Sequence, residues 1–79
     1  MRPSQSIPDH IRILVLDGVE YWIEWERLLP GCSFFLKTVM PAAQVQRHLR
    51  PAEEHLRIDL KAQQRHEMGF YGVRVWRIA

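Results

Sequence analysis

The sequence predicts an α+β protein in which an antiparallel sheet of about five strands is packed on one face by a helical segment that a proline interrupts. The chain order of these elements is β-β-β-α-β-β. Three observations carry this prediction. The dipeptide Asp17-Gly18 separates two runs rich in β-branched and aromatic residues, the middle of the chain has a helical stripe of apolar residues, and the last third alternates apolar with polar residues.

Asp17-Gly18 predicts a tight hairpin, because both residues tolerate the positive φ angles that a type I′ turn requires. Strands are expected at about residues 11–16 and 19–25, on either side of this turn. Pro30-Gly31 then predicts a second turn, and the segment CSFFLKTV, residues 32–39, predicts the third strand.

The first hairpin places apolar residues on both of its sides. With a two-residue loop, Leu14 lies opposite Tyr21 and Leu16 opposite Val19 on one side. The other side also holds apolar residues, among them Trp22. One side is therefore expected to be covered by the helix, and the other to be partly exposed or to contact a partner.

The helical segment begins near Pro41, a favoured first helical residue. An amphipathic stripe is formed by apolar residues at offsets 0, 4, 7 and 11, namely Val45, Leu49, Ala52 and Leu56. Pro51 lies within this stripe and removes one helical hydrogen bond. The segment is therefore expected either to kink or to divide into helices 41–49 and 51–57, and the acidic residues after Pro51 favour the second alternative.

Two further strands close the chain. The segment IDLKAQQRHE, residues 58–67, alternates apolar and polar residues, Met68-Gly69 begins a turn, and YGVRVWRI, residues 71–78, forms the last strand. On that strand Tyr71, Val73 and Val75 are expected to face the core.

Seventy-nine residues are enough for one domain with a single apolar core, whose stability is expected to be about 3–5 kcal/mol. Residues 1–10 hold two prolines and few apolar groups, so they are interpreted as a flexible leader. Residues 11–79 then form the single α+β domain. No segment has the apolar length of a signal peptide or a membrane span, so a soluble protein is expected.

The residue types that support catalysis are present, but not at the spacings that catalytic or metal sites use. His48 and His55 are seven residues apart, whereas helical metal ligands are separated by three or four. Cys32, the single cysteine, excludes an internal disulfide and is expected to be a small core residue. The glycines are dispersed and form no phosphate loop. We expect no enzyme activity, no metal and no cofactor.

Charge is unevenly divided along the chain. Residues 1–40 carry four basic and five acidic side chains, whereas residues 41–79 carry seven basic and four acidic ones. The second half is therefore expected to contact an anionic partner, to self-associate, or simply to present a solvated basic surface.

The candidate binding residues lie on the side of the last two strands that faces away from the core. Alternation places Lys61, Arg65, Arg74 and Trp76 there, and Trp22 of the first hairpin is a further candidate. Basic groups around an aromatic ring are used by single-stranded nucleic-acid binders and by protein interfaces. The third interpretation is an arginine stem packed over Trp76 on an exposed sheet. Binding requires that the helix leaves this side uncovered.

Two segments carry a resemblance to a known group of proteins. PGCSFF, residues 30–35, and YGVRVWRI, residues 71–78, resemble small uncharacterised proteins of phages, prophages and plasmids, which pair a Gly-x-Ser-Phe-Phe strand with a helix and a terminal Arg-Val-Trp-Arg strand. This chain departs from the group in Leu36-Lys37-Thr38 and in Pro51. The resemblance implies a mobile-element setting and provides no active site to transfer.

That setting implies a function. Small phage accessory proteins, anti-CRISPR proteins among them, often inhibit host machinery by steric binding. The expectation is a non-catalytic inhibitor of a host defence protein or ribonucleoprotein complex, acting in the host cytoplasm as a monomer or homodimer. The alternatives are a small basic DNA- or RNA-binding regulator, which would contact nucleic acid, and a structural phage component.

Overall fold

The computed structural model describes residues 7–79, and within them two helices, a single 3₁₀ turn and five strands. In chain order they are α1 (Asp9–Arg12), β1 (Ile13–Leu16), β2 (Val19–Trp22), a 3₁₀ turn (Trp25–Arg27), β3 (Ser33–Leu36), α2 (Ala42–Leu56), β4 (Leu60–Glu67) and β5 (Phe70–Arg77). The α+β class and the five antiparallel strands are confirmed.

The strands form two sheets rather than the single sheet that the sequence predicted. One sheet has the order β1-β2 and the other the order β3-β5-β4. Trp25, in the connection between β2 and β3, is buried against α1 and β3. Its indole N–H donates to the carbonyl of Ile11 at 3.0 Å, and its ring meets that of Phe34 edge-on at 5.9 Å. This side chain therefore links α1 to the three-stranded sheet.

Both hairpins turn on two residues with positive φ. Asp17 and Gly18 have φ of 53° and 80°, and Met68 and Gly69 have φ of 52° and 81°, as a type I′ turn requires. The first hairpin has the predicted register, with Leu14 opposite Tyr21 and Leu16 opposite Val19. The glycine in each pair adopts positive φ without steric cost, and Asp17 also tolerates it, so the local sequence determines the first turn, whereas Met68 in the second has a positive φ that its side chain does not favour.

Helix α2 runs unbroken from Ala42 to Leu56 through Pro51, so the predicted division into helices 41–49 and 51–57 is wrong. Val45, Leu49 and Ala52, on both sides of the proline, are buried in the same core. Pro51 itself is exposed. Burial of one continuous apolar stripe therefore outweighs the hydrogen bond that the proline removes. The C-cap residue after Leu56 is Arg57, which adopts a left-handed conformation with φ of 56°.

The core lies between α2 and the inner sides of the two sheets. Leu16, Val45, Leu49, Val73 and Val75 are fully buried there. None of the helices within residues 7–79 is long and apolar enough to cross a membrane.

Two helix side chains also cover the start of the β4 edge. The amide of Gln46 donates to the carbonyl of Leu60 and accepts from the N–H of Ala62, each at 2.8 Å. The carboxylate of Glu53 accepts from the N–H of Leu60 at 2.9 Å. These bonds replace those of a neighbouring strand, so this part of the edge is closed to another chain.

The chain ends and strand ends differ from the sequence prediction. Of the predicted leader, residues 1–6 lie outside the described residues, Ile7 packs against the core, and α1 begins at Asp9. The first strand begins at Ile13 because residues 9–12 form a helical turn. The second and third strands end at Trp22 and Leu36, three residues earlier than predicted.

Candidate binding face

Four of the five predicted binding residues share one side of the three-stranded sheet. Lys61 and Trp76 are directly paired, Arg65 is paired with Gly72, and Arg74 lies two positions before Trp76 on β5. Directly paired residues project from the same side of an antiparallel sheet. We call this the outer side.

Helix α2 does not cover the outer side. Val73 and Val75, which alternate with Arg74 and Trp76, are fully buried in the core that the helix lines. The core orientation predicted for these two valines is confirmed, but the prediction for Tyr71 is wrong, because Tyr71 is 49% exposed. Tyr71 lies near the turn of the β4-β5 hairpin, where neighbours such as His66 and Phe70 are also exposed.

Arg74 is bonded within the outer side. Its guanidinium donates to both carboxylate oxygens of Glu67, at 2.8 and 2.6 Å, and to the Ser33 hydroxyl at 2.8 Å. The guanidinium also lies 5.7 Å from the ring centroid of Phe35. Its hydrogen bonds hold the pKa of Glu67 below its usual range, and Glu67 raises the pKa of Arg74. Arg74 is therefore mainly a structural residue of this surface, because its charge is already paired with Glu67.

Arg65 and Lys61 are the more available cations. The guanidinium of Arg65 lies 5.7 Å from the centroid of the Trp76 ring, within the range of a cation–π contact. Its Nε is 3.8 Å from a Glu67 oxygen, an ion pair weakened by exposure. Lys61 is exposed beside Trp76 and has no ion pair within residues 7–79. Both groups can contact a partner without breaking a strong internal bond.

Sequence reasoning missed Glu67 and three further residues of the outer side. Phe35 lies opposite Arg74, Phe70 lies opposite Glu67, and the ammonium of Lys37 is 3.8 Å from the centroid of the Phe70 ring. Alternation within the segment CSFFLKTV places Phe35 and Lys37 on one side of a strand. That signal was available, but the pairing of β3 with β5 was needed to place them beside Arg74.

Gly72 provides the space for the Phe35 ring. A Cβ atom at this residue would overlap the carbonyl oxygen of Leu36 and lie 2.6 Å from the Phe35 Cζ atom. Glycine here is a packing requirement, since its backbone lies beneath the aromatic ring.

Together these side chains define what we call the basic-aromatic face. It comprises four cations, one carboxylate and three aromatic rings, contributed by Lys37, Lys61, Arg65, Arg74, Glu67, Phe35, Phe70 and Trp76. The net charge of the face is therefore positive, and each ring has a cation nearby.

Trp22, the fifth predicted residue, lies apart from the other four on the two-stranded sheet. Its side chain is 60% exposed. Between β2 and β3 is a groove of about 790 Å³, lined by residues of both strands, among them Tyr21, Trp22 and Phe35. The Tyr21 hydroxyl crosses toward β3 and donates to the carbonyl of Lys37. Trp22 thus belongs to the groove.

The histidines and the cysteine form no cluster. Within residues 7–79 no group of three or more His, Cys, Asp or Glu side chains is placed to hold a metal ion. Cys32 is exposed, so its predicted core role is wrong. It follows the Pro30-Gly31 turn, and only the next residues of the segment enter β3.

Comparison with known proteins adds no relative. The chain matches no family model, no curated protein and no solved structure.

Proposed function

We propose that this chain is a small non-catalytic binding protein that occupies a surface of a host defence complex in the host cytoplasm and inhibits it sterically. The observation that carries the proposal is the basic-aromatic face, an uncovered sheet surface on which cations lie against aromatic rings. Tryptophan and arginine are enriched in the residues that dominate protein interfaces. The host defence target is supported by the resemblance of residues 30–35 and 71–78 to mobile-element proteins.

A protein surface fits this face better than nucleic acid does. Each of the three rings already has a cation against it, so a stacked base would have to displace Lys37, Arg65 or Arg74. Arg74 is in addition paired with Glu67. An acidic protein surface could instead accept from Lys61 and Arg65 at the rim while apolar groups pack on the exposed ring edges.

Single-stranded nucleic acid is the second candidate, because three aromatic rings on one sheet face beside basic groups can serve as a stacking surface. Binding of a fluorescent oligothymidine and an oligouridine is the measurement that separates the two. A dissociation constant that rises steeply with salt favours nucleic acid. Absence of binding at low salt removes this candidate.

The inhibitor proposal is tested by expressing the chain in bacteria that carry different CRISPR systems and measuring phage or plasmid interference. The doubly reversed variant Lys61→Glu, Arg65→Glu is expected to lose inhibition. Its matched control is Arg47→Glu, Arg50→Glu, which reverses two exposed charges on α2, away from the face. Interference that remains unchanged by the natural chain in every system contradicts the proposal, as does full inhibition by the face variant.

A pull-down from host lysate identifies the partner. The natural chain and the two variants are used as bait, with and without nuclease. A protein retained after nuclease treatment, and lost only with the face variant, supports the proposal. A partner that is lost on nuclease treatment supports the second candidate.

A further inference from the structure

The groove between β2 and β3 has backbone groups without strand partners on both walls. In β1-β2 the residues beside the two-residue turn, Leu16 and Val19, form a hydrogen-bonded pair, and such pairs alternate along an antiparallel ladder. The bond from the Ile23 N–H to the Arg12 carbonyl fits that alternation. Glu20 and Trp22 therefore direct their N–H and C=O groups away from β1, into the groove.

The opposite wall has the same pattern. The Arg77 N–H donates to the Cys32 carbonyl at 2.9 Å, so the alternate pairs of β3 with β5 leave the backbone groups of Ser33 and Phe35 directed away from β5. Strands β2 and β3 belong to different sheets and form no ladder with each other. The groove thus lies between two strand edges, each with two residues that can pair.

Side chains at the groove indicate what kind of strand fits it. Trp22 and Phe35 supply apolar surface. The Glu20 side chain is exposed and has no ion-pair partner within residues 7–79, whereas Glu24 is paired with Arg27 at 3.3 Å. The charge left free on this wall is therefore a carboxylate, which complements a basic residue.

We infer that the groove binds an extended basic segment of a partner protein, which enters as a strand between β2 and β3 and joins the two sheets. Backbone hydrogen bonds to Glu20, Trp22, Ser33 and Phe35 would hold it, and a lysine or arginine of the segment would pair with Glu20. This site borders the basic-aromatic face and shares Phe35 with it, but it binds through strand edges and prefers the opposite charge.

The probe is the capped peptide Thr-Val-Lys-Val-Lys-Val-Thr, and the readout is amide hydrogen exchange followed by NMR on the full chain. In the free protein the amides of Glu20, Trp22, Ser33 and Phe35 are expected to exchange faster than those of Tyr21 and Phe34, which are bonded within their sheets. Peptide at ten times its dissociation constant is expected to slow the four amides about tenfold.

The matched control is the same peptide with an N-methyl group on every residue, which keeps the side chains and removes the backbone donors toward both walls. Equal protection by this control would overturn the inference, as would no protection at millimolar peptide. A third outcome would also overturn the inference. If the four amides of the free protein exchange as slowly as those of Tyr21 and Phe34, then β2 and β3 pair directly in solution.

The preference of the groove for a basic segment is tested with Glu20→Lys, a substitution at an exposed residue. The variant is expected to bind the lysine peptide about threefold more weakly and a glutamate version of the peptide more tightly. Unchanged affinities would overturn the assignment of a basic strand. The Lys61→Glu, Arg65→Glu variant is expected to keep peptide binding, so failure of the groove and failure of the proposed function are distinguishable.

Discussion

The guanidinium of Arg74 is bonded to both carboxylate oxygens of Glu67, at 2.8 and 2.6 Å, across the β4-β5 hairpin. The same guanidinium reaches the Ser33 hydroxyl on β3, so one side chain ties the three strands of this sheet together. Within residues 7–79 the Arg65 guanidinium, on the same face, has an exposed ion pair with Glu67 at 3.8 Å and a cation–π contact with the Trp76 ring. These two arginines should therefore respond differently to substitution.

Arg74→Gln is expected to lower stability, whereas Arg65→Gln is expected to leave it within about 0.5 kcal/mol of the natural chain. Loss of Arg74 leaves the Glu67 carboxylate without its bidentate partner, and charged hydrogen bonds of that geometry are the stronger ones. Urea denaturation at pH 7 measures both. Equal urea midpoints for the two variants would show that the hydrogen bonds of Arg74 do not stabilise the three-stranded sheet.

Acid is expected to remove the stabilisation that the Glu67–Arg74 pair contributes. The pKa of Glu67 is lowered from its usual value, chiefly by the hydrogen bonds from Arg74, so folding favours the charged carboxylate. Its contribution is then complete above the pKa of the unfolded chain, about 4.3, and is lost as pH falls through the lower folded value. Glu26, bonded by Arg12, has a pKa of about 2 and adds a second loss at lower pH.

The measurement is a series of urea denaturations between pH 7 and pH 2. Glu67→Gln is expected to be less stable than the natural chain at pH 7 and to lose less stability on acidification. Its control is Glu54→Gln, an exposed change without an ion pair within residues 7–79. A Glu67→Gln profile parallel to that of the natural chain would exclude Glu67 as a source of the acid sensitivity.

Features determined by neighbouring residues could be predicted from the sequence, whereas features determined by distant contacts could not. Asp17-Gly18 determines a turn by its own backbone preferences, and alternation placed Lys61, Arg65 and Trp76 on one side. Pro51 predicted two helices, but α2 is continuous. The burial that overrides the proline comes from packing against the sheets, which the sequence of the helix does not reveal. The pairing of Arg74 with Glu67 depends on hairpin register.

The division of the strands into two sheets also could not be predicted from the sequence. The connection between the two sheets contains Trp25, whose indole N–H donates to the carbonyl of Ile11, fourteen residues away, and whose ring packs edge-on against that of Phe34. Short strands with polar and apolar residues on both sides contain no signal of which strand edges pair. For the same reason the groove, and the separation of Trp22 from the other predicted residues, required the structure.

Gly72 is expected to tolerate no side chain. In Gly72→Ala the added Cβ would overlap the Leu36 backbone carbonyl and press on the Phe35 ring. Because backbone cannot move aside as a flexible side chain does, the expected loss is about 1–3 kcal/mol. Thermal denaturation of Gly72→Ala is compared with that of Gln63→Ala, an exposed change on the same side of the sheet. Equal melting temperatures would show that β3 can shift without cost.

Gln46 is expected to protect the β4 edge. Gln46→Ala leaves the Leu60 carbonyl and the Ala62 N–H without their partner, and each partly buried group left unpaired is expected to cost about 1–3 kcal/mol at most. Gln44→Ala, an exposed change in the same helix, is the control. Light scattering should also detect self-association of the Gln46→Ala variant, because an uncovered strand edge can pair with another chain.

Replacement of Pro51 is expected to stabilise the protein. In Pro51→Ala the new N–H can complete the helical ladder with the carbonyl of Arg47, and the interior of α2 gains a stronger helix former. The expected gain is about 1–3 kcal/mol, reduced by the greater freedom of the unfolded chain. The measurement is the urea midpoint at unchanged slope, with Arg50→Ala as the control. A loss of stability in Pro51→Ala would mean that Leu49 and Ala52 pack correctly only on the helix geometry that the proline imposes.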